Sequence, residues 1–396
     1  NKQHVPCLCT STRCDTGSTR LKKSPVLTYA PAVAHSQSSL ESRWEEWLTS
    51  HPTRRLHCRK PPTCSAELQR SCWTTNCRND PQHEGVLIFL APGQGAQKPG
   101  MLSPWLADQT ARKHLELLNE AVDFDLLEAG STWESERIRD TRIAQPLIFA
   151  SSLVAAYAAI GAGAQPTAAS GHSVGEWCAS VVAGALSAHD AIRLVAARGV
   201  AMAQACEQGP TGLAAVLGGT RADVVDVAQR HGLVIANDNG PGQLVLGGPI
   251  DQLTEWVAAP PSGARIRRLD VAGAFHTDAM RPAVATMATL ASTVTTNEAS
   301  IPVYSNRDGA SLTDGQQILD QMIEQIALPV RWDLVMDSLA SVGATAAVEL
   351  CPAGSLRGIL RRRLPQIETH LVNIPSDTSS LAVSDLRTTD LAGVSQ

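Results

Sequence analysis

The stretch AASGHSVG, from Ala168 to Gly175, determines the predicted fold. Small residues at 168–170 predict a short buried strand, and residues 176–186 predict a helix. The G-x-S-x-G spacing between them is typical of a sharp strand-to-helix turn that presents the hydroxyl of Ser173 at a helix N-terminus. Unpaired backbone amides and the helix dipole favour negative charge there. The stretch therefore predicts a nucleophilic serine, and a chance match in a glycine-rich loop is the alternative.

Strands and helices alternate on both sides of this turn. The continuous apolar run VLIFLA at 86–91 predicts a strand buried on both faces. Other predicted strands lie at 213–217, 233–236, 243–246, 265–271, 303–305 and 346–350, and predicted helices at 146–160, 175–185, 188–206, 221–231, 278–292 and 315–327. This alternation predicts an α/β domain around a mainly parallel sheet. Residues 209–271, with short strands around the single helix 221–231, are predicted to be a small inserted subdomain.

Composition separates the first 82 residues from the rest. The chain has 396 residues, 43% hydrophobic and 18% charged, which is enough for a sizeable core. Residues 1–82 hold 12 Lys and Arg against 6 Asp and Glu, whereas the remainder holds 21 against 32. Seven of the ten cysteines lie before residue 78. The acidic body argues against non-specific nucleic-acid binding, and its three scattered cysteines favour a reducing compartment, the cytoplasm.

Residues 1–82 show no sustained periodicity, so we expect a disordered or non-native extension. The spacings between the cysteines of this segment do not suit a zinc site. An organellar transit peptide is the other alternative. Residues 376–396 are polar and are predicted to be a loose tail. No uninterrupted apolar run reaches about 18 residues, so no membrane span is expected, and Pro146–Ile160 is predicted to be a buried helix.

A serine hydroxyl needs a base. Among the histidines, His276 follows a predicted strand and precedes a predicted helix, which makes it the best candidate. His172 adjoins the serine, but a sharp turn directs it elsewhere, so a structural hydrogen bond is expected there.

Two further features concern charge stabilisation. Arg198 lies on the apolar face of helix 188–206, where a guanidinium is costly without an anionic partner. An internal salt bridge is the commoner explanation, and a carboxylate on a substrate is the functional one. The Gly93-Gln94-Gly95 loop lacks the third glycine of a nucleotide loop, so its backbone amides are candidate oxyanion donors instead.

These motifs, in this order, resemble the malonyl-CoA:acyl carrier protein transacylases of type II fatty acid synthesis and the related acyltransferase domains. The resemblance runs from about Val86 to Pro375 and includes APGQGAQ at 91–97, GHSVGE at 171–176, AARGVAM at 196–202, NGPGQ at 239–243, GAFHT at 273–277, YSNRDG at 304–309, LPVRWD at 328–333 and ELCPAG at 349–354. It implies an α/β-hydrolase-like large subdomain with a parallel sheet (85–208 and 272–375) and an inserted ferredoxin-like small subdomain (209–271), together forming a transferase domain at 85–375.

The resemblance also implies a role for each matching residue. Ser173 attacks the malonyl thioester, and His276 takes its proton. The backbone carbonyl of Gln325 orients His276. The backbone amides of Gln94 and Val174 form the oxyanion hole. Arg198 binds the malonyl carboxylate, Asn239 lines the site, and Phe275 leaves little room for an α-methyl group.

The implied activity is that of an [acyl-carrier-protein] S-malonyltransferase. Malonyl-CoA and a phosphopantetheinylated acyl carrier protein are the expected partners, with no metal or other cofactor, and we expect a cytoplasmic monomer. The main alternative is a serine esterase or thioesterase, which needs an acidic residue between Ser173 and His276, such as Asp238 or Asp270. A non-catalytic module that binds the carrier protein is a second alternative.

Overall fold

The structure is a computed structural model that describes residues 85–381, so the predictions for residues 1–82 lie outside the described residues. The strands are β1 (Val86–Ala91), β2 (Ala168–Gly171), β3 (Thr211–Gly218), β4 (Val234–Asp238), β5 (Gln243–Pro249), β6 (Ala264–Arg268), β7 (Val303–Tyr304), β8 (Ser311–Leu312), β9 (Val330–Arg331), β10 (Ala344–Leu350) and β11 (Glu368–Val372). The α-helices are α1 (Ser103–Ala107), α2 (Gln109–Asn119), α3 (Leu126–Ser131), α4 (Thr141–Gly161), α5 (Gly175–Val182), α6 (Ala188–Cys206), α7 (Arg221–Arg230), α8 (Ile250–Ala258), α9 (Arg281–Ala291), α10 (Gly315–Glu324), α11 (Trp332–Ser341) and α12 (Arg357–Arg363).

The larger sheet has six strands in the order β11-β10-β1-β2-β7-β8. All pairs are parallel except β7 with β8. The apolar run at 86–91 forms β1, which pairs with β10 on one side and with β2 on the other, and its residues 87–91 are buried. The mainly parallel α/β architecture expected from the sequence is confirmed.

The smaller sheet comes from one contiguous segment plus one added strand. Strands β3 to β6 and helices α7 and α8 follow the order βαββαβ, with the spatial order β6-β3-β5-β4 and antiparallel pairing throughout. This is the ferredoxin-like arrangement. The prediction of a single helix in this block was wrong, because α8 forms a second one: its buried Leu253 and Trp256 pack into the same core as the α7 side chains. Strand β9 extends the sheet, parallel to β4.

The most apolar helix is α4, and it lies in the core. Among the described residues it alone has the length and composition of a membrane-spanning helix, but 78% of its apolar window is buried inside the protein. The expected buried helix at 146–160 is therefore present. It begins five residues earlier, with the Asp140 side chain accepting a hydrogen bond from the Arg142 N–H at its N-cap.

The prediction of a loose tail from residue 376 was wrong for its first residues. Pro375–Leu381 form a 3₁₀ helix, and Leu381 is fully buried. The Asp377 carboxylate accepts hydrogen bonds from the N–H groups of Asn373 and Ile374, which ties this segment to the end of β11. Residues 382–396 lie outside the described part of the chain.

Candidate active site

Three neighbouring parallel strands end at one edge of the larger sheet and place part of the candidate site there. β1 leads into the Gly93–Gly95 loop, β2 leads into the turn containing Ser173, and β7 leads into Ser305 and Asn306. Loops at the carboxyl ends of parallel strands form the usual ligand crevice of an open α/β sheet. Residues far apart in sequence are therefore adjacent here.

The turn at Ser173 is closely packed. Ser173 itself has a left-handed backbone conformation, with φ of 54°. A Cβ on Gly171 would lie 2.0 Å from the backbone carbon of Gly175, and a Cβ on Gly175 would lie 2.3 Å from the carbonyl oxygen of Ala91. Glycine is thus required at both positions because neighbouring backbone segments pass too close for a side chain. The sharp change of chain direction occurs at Ser173, which has the left-handed conformation.

We expect Gly175→Ala to destabilise the fold by about 2 kcal/mol or more, because its methyl group would displace β1 from the helix that follows the nucleophile. Thermal unfolding measures this as a lower Tm. Gly358→Ala is the matched control, since a Cβ there has no atom within 4 Å. Equal Tm values for the two variants would contradict this account of the turn.

Ser173, His276 and Gln325 form a hydrogen-bonded chain. The Ser173 Oγ lies 2.8 Å from His276 Nε2, and His276 Nδ1 lies 3.1 Å from the backbone carbonyl oxygen of Gln325. A carbonyl oxygen can only accept, so this contact assigns the proton to Nδ1 and leaves Nε2 to accept the serine proton. The Gln325 side-chain Nε2, which lies 3.2 Å from Nδ1, then makes no hydrogen bond to it. His276 also has a left-handed backbone, with φ of 62°.

The surroundings of His276 keep its imidazole uncharged at neutral pH. Burial and, secondly, the nearby positive charge of Arg198 lower the pKa of His276 from 6.5 to about 3. A neutral imidazole with a free Nε2 lone pair is the form that a general base requires.

Arg198 lies next to the nucleophile and is only 1% exposed. Its Nη1 donates to Gln145 Oε1 at 2.6 Å, and its Nη2 donates to Ser173 Oγ at 3.1 Å. No carboxylate of the described residues forms an ion pair with it, so the internal salt bridge considered from the sequence is not found there. Its buried Nε has no hydrogen-bond partner among residues 85–381.

The charge of Arg198 is weakly compensated. Burial lowers the pKa of its guanidinium to about 10, which leaves it positive at neutral pH. Glu176 is the acidic group that acts on it, but burial raises the pKa of Glu176 to about 8, so this carboxyl keeps its proton near neutral pH. The surroundings of the Ser173 hydroxyl therefore favour a negatively charged group.

The backbone amides near the turn that have no acceptor among residues 85–381 include the N–H groups of Gln94 and Val174, whereas the Ser173 N–H is bonded to Asn306 Oδ1. The Gln94 loop lies directly on the turn, since a Cβ on Gly93 would be 2.7 Å from the carbonyl oxygen of His172. Unpaired N–H groups beside a nucleophile can bind an oxyanion.

The side chains of His172 and Asn239 are hydrogen-bonded to each other. His172 Nε2 lies 3.0 Å from Asn239 Oδ1, so His172 makes the structural hydrogen bond expected from the sequence. The two candidates for the acidic residue of an esterase are engaged elsewhere: Asp238 binds Arg221 at 2.8 Å, and Asp270 is paired with Arg139.

Sequence reasoning missed two residues of this site, Gln145 and Asn306. A polar Gln145 at the start of an apolar helix was a usable signal, and Asn306 lay within the quoted YSNRDG motif. Among the described residues, no group of three or more His, Cys, Asp or Glu side chains could hold a metal ion.

Comparison with known proteins identifies the family. The acyl transferase domain profile matches residues 88–393. A malonyl CoA-acyl carrier protein transacylase of Mycobacterium tuberculosis is 42% identical over 301 residues, which cover 75% of this chain and 99% of that protein.

Solved structures of malonyl transacylases match the fold of this chain. The crystal structure of MCAT from Mycobacterium tuberculosis matches with a TM-score of 0.73 and 42% identity, covering 75% of this chain and 99% of that one. A malonyl-transacylase in complex with its type II PKS acyl-carrier protein matches with a TM-score of 0.72 and 25% identity, covering 76% of this chain and 99% of that chain. The chain belongs to the acyl transferase family and, within it, to the malonyl CoA-acyl carrier protein transacylases.

Proposed function

We propose that this chain transfers the malonyl group of malonyl-CoA to the phosphopantetheine thiol of an acyl carrier protein, through a malonyl ester on Ser173. The product supplies two-carbon units for fatty acid or polyketide chain elongation. The observation that supports this substrate most directly is Arg198, a buried cation beside Ser173 Oγ with an unpartnered Nε and no carboxylate partner among the described residues. A malonyl carboxylate supplies the missing anion.

In the first half-reaction, Ser173 Oγ attacks the thioester carbonyl while His276 Nε2 takes its proton. The negative charge that develops on the carbonyl oxygen is stabilised by the N–H groups of Gln94 and Val174, a contribution typically worth 10²–10³-fold per donor. The bond from carbon to sulfur then breaks. The proton on His276 passes to the departing CoA thiolate, and the malonyl ester remains on Ser173.

The second half-reaction reverses these steps with a different thiol. His276 takes the proton of the carrier's phosphopantetheine thiol, the sulfur attacks the ester, and Ser173 leaves with the proton returned by His276. The Gln325 carbonyl keeps His276 in the required tautomer throughout, in place of the carboxylate of a Ser-His-Asp triad.

The same groups could hydrolyse the ester if water reached it. Ser173 is 8% exposed and His276 is 5% exposed, which limits access for water. An esterase of this chain order would also use an acidic residue on His276, whereas the carbonyl of Gln325 occupies that position. These observations favour transfer over hydrolysis.

The test is to supply malonyl-CoA with and without a phosphopantetheinylated acyl carrier protein and to quantify malonyl-carrier, free CoA and free malonate. Transfer predicts CoA release in step with malonyl-carrier formation. CoA release in step with free malonate, equally fast without the carrier, would support the hydrolase alternative instead.

The pH dependence follows from His276. Because its neutral form accepts the serine proton and its pKa is held at about 3, kcat/KM for malonyl-CoA should not fall as the pH drops through 6.5. In Arg198→Ala burial, the larger cause of the lowered pKa, remains but the positive charge is absent, so the acid limb should move to higher pH. Rates measured between about pH 4 and pH 9 check both expectations. A wild-type acid limb centred near 6.5 would contradict them.

We also propose that the enzyme works in the cytoplasm. Cys178, Cys206 and Cys351, the cysteines of the described residues, are free thiols, which fits a reducing compartment.

A further inference from the structure

We propose that Asn306 is the positioning residue of the nucleophile: its side-chain amide holds Ser173 in the conformation that directs Oγ at His276. This inference deepens the proposed function and rests on it, because it concerns the reactivity of the same serine. Asn306 lies two residues after β7, beside the carboxyl end of β2, and is fully buried.

One amide group fixes both sides of the turn. Asn306 Oδ1 accepts a hydrogen bond from the Ser173 N–H at 2.7 Å, and Asn306 Nδ2 donates to the carbonyl oxygen of Gly171 at 2.8 Å. These two backbone groups flank His172, so the side chain bridges the start and the apex of the turn. No other polar side chain of the described residues hydrogen-bonds to these two groups.

These two hydrogen bonds of Asn306, the bridge, hold Ser173 in a strained backbone conformation. A non-glycine residue with φ of 54° is in a disfavoured region, and it stays there only when its surroundings hold it. Without the bridge, Ser173 can relax toward an ordinary conformation. Its Oγ would then move away from His276 Nε2, now at 2.8 Å, and from Arg198 Nη2, now at 3.1 Å.

Asn306 is itself held by its backbone. Its N–H donates to Glu176 Oε1 at 2.8 Å, and its carbonyl oxygen accepts from the Arg331 N–H at 2.7 Å. A side chain on a backbone fixed from two sides can hold its neighbour within the small tolerance that catalysis needs.

The bridge also determines which backbone N–H group of the turn is available to bind an oxyanion. Because the Ser173 N–H is bonded to Asn306, the next N–H, that of Val174, is the one left without an acceptor among the described residues. Loss of Asn306 would thus disturb the oxyanion donor as well as the nucleophile.

Two substitutions test the bridge. Asn306→Ala removes both hydrogen bonds. Asn306→Asp keeps the acceptor for the Ser173 N–H, but when ionised it sets an oxygen against the Gly171 carbonyl oxygen. When protonated, its O–H restores the missing donor. Burial raises the pKa of the introduced carboxyl, whereas the positive charge of Arg198 opposes this.

The readout is the rate at which a fluorophosphonate modifies Ser173, followed by intact mass, since this reaction forms an Oγ–P bond, releases fluoride and needs no malonyl-CoA. We expect Asn306→Ala to react about 10- to 100-fold more slowly than wild type. Asn306→Asp should approach the wild-type rate at the acidic end of the pH range and lose reactivity as the pH rises. With malonyl-CoA, kcat should fall while KM changes little, because Arg198 remains.

Ser170→Ala is the matched control. Its buried hydroxyl donates to the carbonyl oxygen of Tyr304 at 2.9 Å, so the variant removes one buried hydrogen bond between the same two strands without touching the turn. We expect its labelling rate to stay within about twofold of wild type. Melting curves of every variant accompany the rates.

Several results would overturn the inference: wild-type labelling of Asn306→Ala, an equal loss in Ser170→Ala, no acid-side recovery in Asn306→Asp, or loss of folding in both Asn306 variants, which would make the role purely structural. Failure of the proposed function is distinguishable. In that case the wild type forms no malonyl-carrier, yet the fluorophosphonate rates still decide the role of Asn306.

Discussion

Ser173→Ala should lower kcat for malonyl transfer by about 10⁴-fold or more and remove the covalent intermediate altogether. The reason is that Ser173 supplies the one hydroxyl oxygen of residues 85–381 that lies 2.8 Å from His276 Nε2 and 3.1 Å from Arg198 Nη2. Formation of malonyl-carrier from malonyl-CoA measures the loss.

The matched control for this change is Ser180→Ala in the helix that follows the nucleophile. Ser180 is also buried, and its hydroxyl donates only to the Trp177 carbonyl oxygen. We expect this variant to keep transfer activity. Transfer by Ser173→Ala at a rate comparable with wild type would exclude the serine ester pathway.

Arg198→Ala should lower kcat/KM for malonyl-CoA by about 10²- to 10³-fold, the effect of losing two charge-assisted hydrogen bonds to a buried carboxylate. Acetyl-CoA has no free carboxylate, so its transfer should fall far less, and the preference for malonyl-CoA should disappear. Competition between the two thioesters, with both acyl-carrier products quantified, measures this preference directly.

Arg193→Ala provides the control on the same helix. Arg193 lies five residues earlier, and its side chain is 48% exposed and close to Asp190. It should leave the malonyl preference intact. If Arg198→Ala kept the wild-type preference, or lowered transfer of both acyl groups equally, the assignment of Arg198 to the substrate carboxylate would be wrong.

The parts of the fold with a strong local pattern could be predicted. The apolar run at 86–91 forms β1, and the periodicity of helix 188–206 correctly placed Arg198 on a buried face. The Ser187 side chain accepts from the Asp190 N–H at 3.0 Å and caps the N-terminus of that helix.

The parts missed depend on distant contacts. Helix α8 has only nine residues, so its apolar positions are too few to show a helical period in the sequence. Leu253 and Trp256 become recognisable as core residues only in the folded structure, where they are packed into the core of the smaller sheet. The partners of Gln145 and Asn306 are separated from them by 53 and 133 positions in the chain. A local pattern does not reveal such pairs, and the left-handed backbone of Ser173 becomes explicable only with Asn306 in place.

The most direct test of the central claim is the intact mass of the protein after brief mixing with malonyl-CoA, followed by addition of phosphopantetheinylated acyl carrier protein. We expect a single malonyl adduct, absent from Ser173→Ala, that disappears as malonyl-carrier forms. An adduct that persists in Ser173→Ala, or one that is discharged only as free malonate, would contradict it.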